Sequence, residues 1–485
     1  MRKILYFLFF LSICVLNAEI LKDFDVNGLI KSEKEFVKKI LRSEKYYKDG
    51  KKHGVHKTYF PGGEVATENS YKDDQLDGLS NTFFKTGRLK KKEYYVEGKR
   101  EGLFRIYNKI GVLLEERNYK FGGKHGTFKK FYKTGELKSE KNYKNNRPEG
   151  KFLTFDRKGK IQTEEVYLNG NLISERYYNN TVKVGTYKDY YDDGKLQRVY
   201  SYKKGFLEGP SNEYFKSGNL KSEKNYTTGK KNGLFSNYYK NGTLMSTFAY
   251  IMDKVKLEKY YKNGLKDGVF REYYDSGKLL NETSYIVDKQ QGKENTYYET
   301  GELKSEKNYD KGLQIGNYEE YFMTGDIKLQ ALYKEGVKEG KQHEYFKNGQ
   351  LKTSSTFKND KLEGIYKEYQ HTGELIHETN YKDGIKHGPY KRYYKSGNIQ
   401  KDYTFKNDKL DGVIKEFHGI GTVASIVNYV DGKPDGSMKK YYNDGSLKTQ
   451  IQFDKGKAIK GITYMEHGTK KELTHAHFNN MGLEY

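Results

Sequence analysis

The chain has 485 residues, with 89 Lys plus Arg against 65 Asp plus Glu, and its net charge of +24 attracts polyanions such as nucleic acid, anionic lipid and acidic glycans without choosing among them. Low hydropathy and high charge suit a disordered chain, but 48 Tyr and 26 Phe supply the large apolar side chains that disordered segments lack. A single cysteine excludes a disulfide framework.

Residues 1–18 read as a secretory signal peptide: Arg2 and Lys3, an apolar run from Ile4 to Leu16, and the small Ala18 before a cut at Glu19. The run is too short for a flanked membrane span. Cys14 lies inside it, and Ile13 is an awkward residue to precede a lipidated cysteine. Ordinary cleavage is therefore expected, leaving a mature chain with no thiol, no transmembrane segment and, without Arg2 and Lys3, a charge of +22 in place of +24. The expected location is the periplasm, the cell surface or the medium.

Residues 19–46 are expected to cap the N-terminal end, with two readings open. Spacings of 11 residues ending at Phe36 and Tyr47 suggest partial repeats, whereas Ser32 with Glu35 forms a capping box before Phe36, Val37, Ile40 and Leu41, the pattern of a short amphipathic helix. The run Asp23, Asp25, Asn27, Gly28 matches the start of a calcium loop, but the twelfth position is Lys34 and no metal is expected there.

From Tyr47 to Phe453 one 24-residue unit occurs sixteen times. Counted from its opening aromatic as phase 0, glycine fills phases 7 and 16 in every copy, phase 18 is always aliphatic, and phase 24 is again aromatic. A fixed period in this range marks a repeat architecture in which each unit buries apolar surface against its neighbours. Phases 8–13, such as Thr127 to Tyr132, have strand composition, and so do phases 18–24. Between them stand Lys-Thr-Gly, Lys-Asn-Gly or Asp-Asp-Gly, and phase 3 is nearly always Gly, Asp or Asn, the residues of turns with positive φ. Phases 18 and 24 differ by an even number, so both are expected on one face, with the frequent glutamate of phase 21 on the other. One unit is thus one β-hairpin. The predicted fold is all-β, an elongated single-sheet antiparallel meander of about sixteen hairpins. It is irregular at 167–178 and 250–261, where one strand with its turn is missing and the meander should reverse. Residues 454–485 are expected to form a C-terminal cap.

Tyr-x-x-Gly-x-x-x-Gly followed by a pair of aromatics and x-x-Gly-x-Leu-x-x-Glu-x-x-Tyr, as in Tyr119 to Tyr143 and Tyr202 to Tyr226, resembles the MORN repeat in its bacterial variant form, often described as an antitoxin component. The resemblance covers about residues 47–453. It implies a hairpin array that serves as a binding or spacing module. Certain phosphatidylinositol phosphate kinases carry MORN arrays too, but here the array fills the chain and leaves no room for a kinase domain.

The polar residues recur as copies along a line, whereas an active site needs unlike groups converging in one pocket, so no enzyme is expected. No Gly-Lys pair is followed by Ser or Thr, which removes a Walker-type phosphate loop. His475 and His477 lack partners at metal-ligand spacing, and no cofactor is expected. Chemistry, if present, would fall on the unrepeated ends, at Ser32, Glu466, His467, His475 or His477. Two sets of residues are candidates for binding. Phase 1 is lysine in ten units, Lys48, Lys72, Lys120, Lys144, Lys203, Lys262, Lys334, Lys358, Lys382 and Lys406, expected as a ladder of positive charge along one long edge. Lysine also protects exposed strands from aggregation, which is the competing explanation. Phase 13 places Tyr132, Tyr191, Tyr239, Tyr274, Tyr298, Tyr394 and Tyr442 beside the turn, where a ligand could reach them. The expected function is an exported, non-enzymatic binding, adhesion or scaffolding module with a basic, aromatic face. Its partner would be a protein or a polyanionic surface, anionic lipid or acidic glycan; export disfavours nucleic acid. An antitoxin or immunity protein and a passive envelope spacer are the alternatives.

Overall fold

Residues 18–465 and 468–485 are described by the structure, a computed structural model. The expected signal peptide, apart from Ala18, lies outside the described residues, as do Cys14, Glu466 and His467.

Each 24-residue unit is a β-hairpin. In the unit from Tyr119, the short strand Gly123–Lys124 and the strand Gly126–Phe131 are followed by Leu137–Lys144. Gly126 pairs with Tyr143, Phe128 with Lys141 and Lys130 with Ser139; Ser139 then pairs with Thr154 of the next unit. Two residues with positive φ make the turn at phases 2 and 3, as at Asp73 (φ 50°) and Asp74 (φ 70°), the geometry of a type I′ hairpin. Aspartate or asparagine at phase 3 also ties units together, because Asp74 Oδ1 accepts the backbone N–H of Lys52, one unit earlier, at 2.8 Å.

Nearly every buried side chain belongs to phases 9, 20 or 22, including Phe104, Phe152 and Phe270 (phase 9), Ser139, Ser222 and Ser305 (phase 20) and Thr379 and Ile451 (phase 22). With phase 24 these form an aromatic row on one face, and the small hydroxyl residue at phase 20 leaves room for the rings on either side. The aliphatic residue of phase 18 does not join them. Each hairpin has a register shift between phases 11 and 12, so that Tyr190 pairs with Leu196, and the Tyr190 hydroxyl reaches the phase 21 Glu175 at 2.7 Å. The bulge adds a residue to the count and moves phase 18 to the charged face, against the even-number expectation.

The chain divides into two units, Met1–Gly242 and Thr243–Tyr485, a boundary at neither expected irregularity. In the first, Ala18–Phe24, Ile30–Val37 and Ile40–Lys48 are strands. The helical reading of residues 32–41 is therefore corrected. Lys38 and Lys39 (φ 51° and 65°) make a hairpin turn, and Glu35 accepts the Ser43 hydroxyl at 3.1 Å across the strand pair. Period-11 spacing is one strand plus one turn, and the strand pairing available on both sides outweighs a single helical turn and a half. Asp25 Oδ1 is taken by the backbone N–H groups of Asn27 and Leu29, both at 2.9 Å.

At 167–178 two strands of the same type follow one another, Ile161–Leu168 and Asn171–Asn179. Their pairing sets phase 22 (Glu165) against phase 21 (Glu175), where ordinary hairpins set phase 22 against phase 9. Paired residues point to the same face. The aromatic row of residues 178–242 therefore lies on the opposite face from that of residues 47–167, and the type I′ turns move to the opposite edge. In the second unit the same exchange occurs between Leu244–Ile251 and Lys254–Lys262, where Phe248 (phase 22) pairs with Glu258 (phase 21). A further one-strand step, absent from the sequence expectation, joins Leu447–Asp454 to Lys457–Tyr464. There the helix His475–Asn480 sets Phe478 against Ile451, Phe453 and Ala458.

Candidate binding surface

All ten phase 1 lysines are exposed, and none is in an ion pair among the described residues. Each closes a strand at a type I′ turn, as Lys120 does opposite Gly123, so each stands on a sheet edge. They do not form one ladder. In the first unit Lys48, Lys72, Lys120 and Lys144 share an edge, and the strand inserted at 171–179 puts Lys203 on the other. In the second unit Lys262, Lys334, Lys358, Lys382 and Lys406 share one edge, because no further one-strand step intervenes between them. Successive hairpins space such lysines about 10 Å apart, close to the screening length of about 8 Å at physiological salt, so their fields overlap in part.

The phase 13 tyrosines are half-buried, Tyr239 excepted, and their hydroxyls are committed within the array. Tyr132, Tyr191, Tyr274, Tyr298 and Tyr394 each donate at 2.8 Å to the carbonyl 23 residues ahead, and Tyr442 donates to Tyr464 O at 3.1 Å. They staple one unit to the next. Lysines at phase 19 lie over three of these rings: Lys138 over Tyr132, Lys304 over Tyr298 and Lys448 over Tyr442, at 5.6, 5.7 and 5.1 Å from the centroids. Only ring edges remain for a ligand.

Sequence reasoning missed a second set of cations. Phase 5 carries a lysine or arginine over the phase 24 ring of the same hairpin: Lys52 over Tyr71, Arg100 over Tyr119, Lys124 over Tyr143, Lys183 over Tyr202 and Lys266 over Tyr285, at 4.8 to 5.5 Å. The signal was present as a recurring basic residue two positions before the phase 7 glycine.

The opposite face is partly neutralised. Phase 10 cations meet phase 21 glutamates in Lys57–Glu68 (2.9 Å), Arg105–Glu116 (2.8 Å) and Arg271–Glu282 (2.6 Å). Phase 12 tyrosines donate to the same kind of glutamate, Tyr59 to Glu44 at 2.8 Å and Tyr393 to Glu378 at 3.0 Å. Burial, followed by these hydrogen bonds, pushes both phenols up to about 12, so they keep their protons near neutrality. At the ends, Ser32 pairs within a strand opposite Tyr46, His475 stacks on Tyr485 at 4.6 Å, and His477 Nδ1 lies 2.7 Å from Thr474 Oγ1 at the helix start.

One titration is built into the aromatic row. His56 occupies phase 9, only 7% exposed, with its ring 4.6 Å from that of Tyr71 and Nε2 2.7 Å from the carbonyl and 3.1 Å from the backbone nitrogen of Tyr46. Burial first, then Lys52 and Lys45, hold its pKa below the ordinary 6.5. The unfolded chain then binds more protons below about pH 6.5, so the stability His56 contributes is complete above that value and is lost as pH falls through the lower folded pKa. Protection factors for residues 40–72 should drop between pH 7.5 and 5.5 more than those for residues 120–144. His56→Phe, the residue of phase 9 in Phe104 and Phe128, should abolish the difference; an unchanged difference would remove His56 as its cause.

Hairpins repeated in register, with a ring-lined face and a lysine-bearing edge, define a repeat protein that offers surface rather than an enclosed cavity. The family model of the MORN repeat variant matches residues 52–73, 124–145, 183–204, 207–227, 266–286, 290–311, 338–359, 362–383, 386–407 and 434–455, each about one hairpin. The chain is a MORN repeat protein. No curated protein matches it. Among solved structures, the TcdB2-TccC3-Cdc42 complex is 11% identical over 94% of this chain and 28% of that one, at a TM-score of 0.14. The Tc holotoxin pore of Photorhabdus luminescens is 10% identical over 96% of this chain and 31% of that one, also at 0.14. This chain spans less than a third of the length of either, and overlaps so small carry no argument about it. No helix among the described residues is long and apolar enough to cross a membrane, which leaves spanning by strands unaddressed.

Proposed function

We propose that this protein is an exported, non-enzymatic binding module that holds a polyanionic surface through its lysine-bearing edges. The observation that carries the reading is the contrast between the two sets of cations: six of phase 10, Lys57, Arg105, Lys129, Lys188, Arg271 and Lys367, are in ion pairs with glutamate, whereas all ten of phase 1 are exposed and outside any ion pair among the described residues, at sheet edges. Aggregation control needs a charge on the edge, but it does not need acid withheld from one cation position and supplied at another. Export rests on the N-terminal pattern of Arg2, Lys3, the apolar run and Ala18. Many weak contacts in series give avidity, so affinity should fall steeply with salt. The test is flotation of the purified chain with vesicles of stated anionic lipid content across a salt series. Binding to anionic but not zwitterionic vesicles, released by salt, supports the reading; equal binding to both, or none to any polyanion, removes it.

A further inference from the structure

On the aromatic row of the first unit a groove of about 680 Å³ crosses the hairpins between Arg117 and Gln162, and no carboxylate lines it. Lys124, Lys138 and Lys141 project into it, with Nζ atoms 5.0, 5.6 and 5.1 Å from the rings of Tyr143, Tyr132 and Phe152. None of the three is in an ion pair among the described residues, whereas the neighbouring Arg117 and Lys130 are held by Glu115 at the rim and Lys129 by Glu140. The charge at phase 22 sets this stretch apart. Before it stands Glu93, 2% exposed and paired with Lys91 and Arg100; after it stands Glu165, which accepts the Tyr167 hydroxyl at 2.9 Å; between them the same phase is Arg117 and Lys141. The positive stretch therefore has acidic boundaries on both sides.

We propose that this groove binds a segment of an acidic oligosaccharide, its carboxylates or sulfates on Lys124, Lys138 and Lys141 and its pyranose rings against the ring edges of Tyr132 and Tyr143. The inference rests on the polyanion-binding reading above and names one ligand class for one place in the array. The groove runs from the strand of Arg117 to that of Gln162, five strands at about 4.8 Å, so its occupant is extended over about 19 Å, longer than one lipid headgroup. Ser139, Thr154 and Gln162 add neutral hydrogen-bonding groups along the lining, as a polyhydroxylated ligand requires. Successive rings pack at steep angles, Tyr119 to Phe128 at 64°, Phe128 to Tyr143 at 64° and Tyr143 to Phe152 at 54°. Such a corrugated surface suits puckered pyranose rings and offers no flat slot for a planar base.

The test uses calorimetry on the full chain with an oligouronate, a neutral glucan of equal length and a single-stranded deoxynucleotide of equal length, alongside vesicle flotation. The oligouronate should bind and the glucan should not. The triple variant Lys124→Gln, Lys138→Gln, Lys141→Gln should weaken the oligouronate about tenfold or more, while Lys347→Gln, Lys395→Gln, Lys439→Gln, with the same loss of charge at exposed positions outside both the groove and the phase 1 set, should change it less than about twofold. Hydrogen exchange verifies that both variants remain folded. Equal losses in the two variants, or deoxynucleotide binding as tight as oligouronate, would overturn the groove. Vesicle binding without oligouronate binding would sink this inference alone; failure of both would remove the polyanion reading beneath it.

Discussion

Replacing Gly340 with valine should open the hairpins around it while hairpins far away keep their hydrogen-exchange protection. Gly340 has φ +107°, a conformation L side chains rarely adopt, and a Cβ there would come within 3.0 Å of Leu332 Cδ2. Backbone strain of about 1–3 kcal/mol and a displaced leucine act together, so a local loss of about 3 kcal/mol is expected, enough to open the strands Val337–Tyr345 and Leu351–Lys358. Gly316, at φ +66° with nothing within 4 Å of the added atom, separates the two causes. Gly316→Val meets only the backbone term and should cost about half as much. Because each hairpin pairs chiefly with its sequence neighbours, protection at residues 47–143 should be unchanged in both variants. A uniform loss throughout the chain would show a global cooperative core in place of nearest-neighbour coupling.

Removing Lys334, Lys358, Lys382 and Lys406 together, each as Lys→Gln, should weaken binding to anionic vesicles by about a thousandfold at low salt. These four share one edge of the second unit and are exposed and unpaired. A basic residue near an anionic surface contributes about 1 kcal/mol, so four lost together approach 4 kcal/mol, and the difference should shrink as added salt screens the wild-type chain. Lys203→Gln alone should cost less than about tenfold, because its edge in the first unit carries no other phase 1 lysine. Equal effects of the single and quadruple changes, measured by flotation, would contradict grouping by edge.

Much of this architecture was legible in the sequence because turn chemistry is local. Glycine at phase 16, and Gly, Asp or Asn at phase 3, announced backbone of positive φ, and the structure has it at Gly135 and Asp74. Strand type and hairpin pairing followed from composition and period. What failed was arithmetic carried across a bulge. Counting by twos from phase 18 to phase 24 assumes an unbroken pleat, and the register shift at Tyr190 and Leu196 breaks it. The one-strand step at 167–178 was visible as a spacing, and reversal was expected from it. Its effect on Lys203 required following edges and faces strand by strand, which the single-ladder expectation did not do. The phase 13 hydroxyls looked available because their acceptor is a main-chain carbonyl 23 residues ahead, and a carbonyl leaves no trace in the identity of the residue that carries it.

The measurement closest to the central claim places a photoreactive residue at Lys358, on the edge of the second unit, and crosslinks intact cells before fractionation. Adducts of lipid or glycan mass in the fraction outside the cytoplasm, reduced when the neighbouring Lys334 and Lys382 are replaced by glutamine, are the predicted result. A chain retained in the cytoplasm, or adducts that persist unchanged after those two replacements, would contradict an exported module that grips a polyanionic surface by its lysine edge.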